Sequence, residues 1–114
     1  MKNLRNYVQL VGHLGKQPVV TNYQTGKRAV RVSLATHDDF YSAKGEKVVN
    51  TNWHNLVAWD NKADFLEKYL NKGSLVMVNG RLSTRSYESK EGTTKYVTEV
   101  IVSEVMKLNQ ESKN

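Results

Sequence analysis

The chain has 114 residues, 39% hydrophobic and 25% charged, with no cysteine, which suits one domain with a single core and excludes both a disulfide framework and a thiolate metal site. Seventeen Lys and Arg against eleven Asp and Glu give a net charge of +6, a balance that favours polyanionic partners such as nucleic acid or an anionic membrane surface, with plain solubility as the bland alternative. No stretch approaches the roughly 18 apolar residues of a membrane span, and "MKNLRNYVQLVG" lacks an apolar signal region, so a soluble cytoplasmic protein is expected.

In chain order, "YVQLVGHL" (Tyr7 to Leu14) mixes apolar and polar residues at strand length, and Gly15 and Pro18 then supply a bend. "VVTNY" resumes the extended pattern and a turn follows at Gly26. "AVRVSLAT" has the cleanest alternation: Val30, Val32 and Leu34 face one way, and Ala29, Arg31, Ser33 and Ala35 the other. That is a half-buried strand with a cation on its outward face. "HDDFYSAKGEKVVN", with Phe40, Tyr41 and a turn at Gly45, reads as a long hairpin arm leading into "TNWHNLVAW". "DNKADFLEKYLNKG" predicts a short amphipathic helix, capped by Asn61, with Ala63, Leu66 and Leu70 on one face and Gly73 closing it. "SLVMVNGRL" predicts a strand, "STRSYESKEGTTKYV" a hairpin turning near Gly92, and "YVTEVIVSEVMKL" the last strand.

Five strands with a helix after the third, long hairpins and no βαβ repeat predict an all-β OB-fold: a five-stranded antiparallel Greek-key barrel with one helix between strands 3 and 4. An open antiparallel α+β sheet is the rival. Residues 1–108 are expected to form the domain and residues 109–114 a short disordered C-terminus.

Enzymatic patterns are missing. His13, His37 and His54 stand at no metal-ligand spacing, and the sequence has no GxSxG, Walker loop or cysteine nucleophile, so no catalytic residue, metal or cofactor is expected. The aromatics carry more information. Trp53 and Trp59 share one side of their strand with Asn55 and Val57, while His54, Leu56 and Ala58 share the other. Periodicity leaves open which side is the core. Phe40, Trp53, Trp59 and Tyr87, interleaved with Lys62, Lys72, Arg81 and Arg85, suit single-stranded nucleic acid, in which bases stack on rings and cations track phosphates. The alternative is that both indoles fill the barrel.

The segments "VQLVGHLGKQPVV", "VSLAT", "NWHNLVAW", "YLNKGSLVMVNGRLSTRSY" and "YVTEVIV" tip that balance, because together they resemble the ordered DNA-binding domain of bacterial single-stranded DNA-binding proteins over roughly residues 5 to 106. The resemblance implies base stacking on Phe40, Trp53, Trp59 and Tyr87, phosphate contacts from Lys62, Lys72, Arg85 and the outward-facing Arg31, and subunit contacts at His54 and Tyr23. It further implies sequence-tolerant binding and protection of single-stranded DNA in replication, recombination and repair by a homotetramer that is cytoplasmic and nucleoid-associated. Asn22, Asn55 and Ser83 stand where the family often has basic residues, so weaker salt dependence is expected. The sequence stops at Asn114 without the family's acidic tip, which puts recruitment of tail-dependent replication and repair partners in doubt. Two alternatives remain: a primosomal replication-restart accessory protein of the same fold, and a structural oligomer whose aromatics are buried between subunits. Stacking alone does not read the 2′-hydroxyl that separates RNA from DNA.

Overall fold

The alternating segments close into a barrel. A computed structural model describes residues 4–108; the stretch 109–114, expected to be a disordered end, lies outside the described residues. The elements run β1 (Val8–Leu14), β2 (Val20–Asn22), β3 (Arg28–His37), β4 (Phe40–Tyr41), β5 (Lys47–Val48), β6 (Thr51–Trp59), α1 (Asn61–Tyr69), β7 (Leu75–Glu88) and β8 (Thr94–Lys107). β1 pairs with β3 and β7, β7 with β8, β8 with β6, and β6 with β3, so these five strands form a closed ring. This is the expected OB arrangement, with α1 between the third and fourth barrel strands. One seam differs from a wholly antiparallel ring. β8 returns beside β6 in the same direction, and the two meet only briefly, at Leu56 opposite Val100 and Val57 opposite Ile101. The short β2 shares an edge of β3 with β1.

The inward-facing residues are those the alternation marks. Val30, Val32 and Leu34 from β3, Leu56 and Ala58 from β6, Val76 and Val78 from β7, and Val100 and Val102 from β8 form one buried cluster. The side of β6 carrying Leu56 and Ala58 is therefore the core side, and the indoles lie on the outer side. β-branched residues dominate because they fit a pleated surface packed on one face. Gly12 lets β1 cross β3 closely, since a Cβ there would collide with the Ala35 carbonyl.

Two hairpins leave the barrel. β4 and β5 extend the β3–β6 hairpin through the Asp38 amide, which donates to the Asn50 carbonyl at 2.8 Å. β7 and β8 are longer than the sequence suggests: "LVMVNGRL" and "STRSYE" are one 14-residue strand. A shift of register between Asn79 and Gly80 bends it, so its first half lines the barrel and its second half projects as an arm.

α1 covers one end of the barrel with Ala63 and Leu66, followed by buried Leu70. Its start differs from the expected Asn61 cap. Asn61 is already helical, and Asp60 precedes it at φ 53° and ψ −114° without a side-chain capping bond. The Asp60 carboxylate is engaged elsewhere: it accepts the Arg28 amide at 3.2 Å, while the Asp60 amide donates to the Arg28 carbonyl at 2.8 Å. Arg28 also grips Asp64 through two guanidinium nitrogens, at 3.1 and 2.8 Å. Those bonds and the adjacent charge raise the Arg28 pKa. The corner just after Trp59 is thus fastened to the start of β3. Among the described residues, no helix is long and apolar enough to cross a membrane.

Candidate nucleic-acid interface

Outward residues of β3, β6, β7 and β8 meet on one side of the barrel. Strand pairing places Arg31 beside Val57, Ser33 beside Asn55, and Ala35 beside Trp53. Across the ring, Arg85 stands opposite Val97 and Ser83 opposite Glu99. The result is a shallow groove of about 250 Å³ lined by Lys16, Arg31, Ser33, Asn55, Arg85 and Glu99, among others.

Aromatic rings flank this groove. Trp53 is 61% exposed, although it is a large apolar side chain. Its ring rests against Gly15, where a Cβ would come within 2.6 Å of it, so the glycine makes the seat for the indole. Trp59 is half-buried and tilts against Tyr23 at a centroid distance of 5.9 Å. The Arg31 guanidinium lies 6.0 Å from the Trp59 ring and donates from Nη1 to the Tyr23 hydroxyl at 2.7 Å. On the other wall, the Arg85 guanidinium lies 5.9 Å from the Tyr87 ring, which is 45% exposed. Phe40 stands on the β4–β5 arm, 51% exposed. Arginine over aromatic is a geometry that holds both groups ready for a base or a phosphate.

Beneath the rings lies Glu99, a carboxylate that is only 7% exposed. It accepts bonds from Arg85 Nε and Nη2, both at 3.2 Å, and pairs with Arg31 Nε at 3.5 Å. Hydrogen bonding to Glu99, and then its charge, raise the Arg85 pKa.

The structure sorts the residues expected to act. It gathers Trp53, Trp59, Tyr87, Arg31 and Arg85 around one groove. Lys62 lies elsewhere, in a cleft of about 640 Å³ between α1 and β7–β8 with Phe65, Met77 and Glu104, and no ring of the aromatic face lines that larger cleft. Lys72 is on the loop after α1, its amide donating to Gln17 Oε1 at 3.2 Å. His54 is half-buried, with Nε2 at 2.9 Å from the Thr36 hydroxyl. Tyr23, expected at a subunit contact, is committed within the chain to Arg31 and Trp59. Sequence reasoning missed Lys16, Glu99 and the place of Tyr23 in the groove. Glu99 has a faint signal, lying one residue before inward-facing Val100, but its two arginine partners follow from strand pairing. Among the described residues, no group of three or more His, Asp or Glu is placed to hold a metal ion.

An exposed, arginine-braced aromatic face on an OB barrel agrees with what the chain resembles. The model of the single-strand binding protein family matches residues 5–108. The chain belongs to that family. It is a family of DNA-binding proteins and not of enzymes. Among curated relatives, single-stranded DNA-binding protein 1 of Chlorobaculum tepidum is 39% identical over 104 residues, covering 90% of this chain and 64% of that protein. Single-stranded DNA-binding protein 1 of Staphylococcus aureus strain Mu50 is 38% identical over 109 residues, covering 96% of this chain and 69% of that one. The chain thus spans about two thirds of the length of these relatives. Among solved structures, the Plasmodium falciparum SSB complex with ssDNA superposes with a TM-score of 0.83 at 32% identity, covering 96% of this chain and 98% of that one.

Proposed function

We propose that the groove between the β3–β6 wall and the β7–β8 arm binds single-stranded DNA without reading its sequence, and that the chain thereby protects exposed strands in replication, recombination and repair. The observation that carries this reading is the set of solvent-exposed rings, Trp53, Tyr87 and Phe40, standing on the same barrel as two arginine–aromatic pairs. Large apolar rings left in water need a reason, and stacking on bases supplies one at about 1 to 3 kcal/mol each. Arg31, Arg85 and Lys16 collect the backbone by displacing its counterions. Tyr23 acts here as a brace for Arg31 and Trp59. Lys62 and Lys72 serve a longer strand that leaves the groove. Titration with oligo(dT), followed by tryptophan emission, tests the reading; indifference of the emission counts against it.

The working form is a homotetramer of such domains, each spanning residues 1–108, in the cytoplasm and on the nucleoid. Exposed Val11 and Met106 on the outer surface of β1 and β8 support an assembly, since an apolar surface of this kind asks to be covered. His54 belongs to a contact of that assembly. Sedimentation at micromolar concentration is expected to give a tetramer; a monomer contradicts it.

A further inference from the structure

Glu99 is the one buried charged side chain among the described residues, and the stacking mechanism makes no use of it. Its carboxylate sits under the groove and touches two cations from opposite walls, Arg31 of β3 and Arg85 of β7. Each of these guanidiniums remains about half exposed. Arg85 spends Nε and Nη2 on the carboxylate, and Arg31 spends Nε on it and Nη1 on Tyr23. The rest of the five donors on each guanidinium stay available to a ligand above the carboxylate. Two guanidiniums and one carboxylate make a cluster of net charge +1.

We propose that Glu99 is a positioning residue of the strand-binding groove and its built-in counterion: it fixes Arg31 and Arg85 across the floor, and the three side chains present one net positive charge to the phosphodiester backbone instead of two. This rests on the reading of the groove as a site for single-stranded DNA. A phosphate arriving there meets guanidiniums already oriented by a carboxylate that stays in place, because burial and three contacts hold it. Orientation is gained and half of the electrostatic hold is surrendered. The strand is held mainly by stacking, which salt does not screen, and less by charge, which salt does.

The test is the slope of log affinity against log salt for oligo(dT), where each phosphate contact on a single strand contributes about 0.7. Glu99→Gln keeps the shape and removes the charge. It is expected to steepen the slope by about 0.7, so that a fourfold rise in salt weakens its binding about 2.6-fold more than it weakens the wild type. Arg31→Gln is expected to flatten the slope by the same amount, and Arg31→Gln with Glu99→Gln to restore the wild-type value. If Glu99→Gln alone folds poorly because two guanidiniums then face each other, comparing the double variant with Arg31→Gln decides the matter with a single guanidinium present. Equal slopes with and without Glu99, in folded protein, overturn the proposal and leave DNA binding standing. Failure of the wild-type chain to bind oligo(dT) at all overturns the functional reading as well.

Discussion

Replacing Gly15 by alanine is expected to perturb the proposed base stacking without substituting an aromatic residue. A Cβ at that position comes within 2.6 Å of the Trp53 ring and 2.5 Å of Ser33 Oγ. Carbon atoms in contact prefer about 3.5 to 4.0 Å, so the indole must retreat by roughly 1 Å. Trp53 is 61% exposed, so it retreats into solvent and the fold loses little: about 1 kcal/mol, the lower end of the cost of overpacking. Binding suffers more. A ring displaced from its seat forfeits part of the 1 to 3 kcal/mol that stacking contributes, and Trp53→Ala forfeits all of it, roughly a 5- to 150-fold loss of affinity. Gly15→Ala is expected to fall between wild type and Trp53→Ala in fluorescence anisotropy with labelled oligo(dT), with the salt slope unchanged. The decisive comparison is Gly15→Ala placed in the Trp53→Ala background, where it should cost no further affinity because its effect passes through the ring. An equal loss in both backgrounds, or no loss in the wild type, refutes the reasoning.

Asp60→Gly tests the strained corner before α1. A non-glycine residue at φ 53° and ψ −114° costs about 1 to 3 kcal/mol, while the bond from the Arg28 amide returns only about 0.5 to 1.5 kcal/mol, so a thermal melt should rise by a few degrees; a fall would show that the carboxylate outweighs the strain. Lys62→Gln and Lys72→Gln, which lie outside the groove, should leave binding of a short oligo(dT) of about 8 nucleotides intact, a length within the range for a single OB domain. They should weaken a strand several times longer, and a loss on the short strand would place these lysines in the groove.

Much of this protein is legible in its sequence because single-face burial writes itself as alternation. Val30, Val32 and Leu34 announce the inner wall, and Ala63, Leu66 and Leu70 the helix that covers the barrel end. The faces of β6 need more. Leu56 and Ala58 are no more apolar as a set than Val57 and the two tryptophans, so periodicity is silent about which side is inside, and only the resemblance chooses correctly. The continuity of β7 is hidden because its outer half is mostly polar, its Leu82 and Tyr87 are exposed, and it carries no core signal. Glu99 is hidden for a different reason. Its meaning depends on Arg85, 14 residues away and brought to it by the β7–β8 pairing, and on Arg31, 68 residues away in sequence, which meets it only once β6 has joined β3 to β8. The helix start is misread because Asp60 spends its carboxylate on Arg28, a contact of tertiary structure that overrides local capping preference.

Trp53 and Trp59 are the only tryptophans in the chain, and both lie on the proposed DNA face, so indole emission reports on that face alone. Titrating the wild-type protein with oligo(dT) at low salt should quench most of this emission in a saturable curve. The change lost in Trp53→Ala should be accompanied by the loss of affinity that stacking predicts. Emission that stays constant while anisotropy shows the oligonucleotide bound would mean that the strand lies elsewhere on the barrel, and that the exposed rings have another purpose.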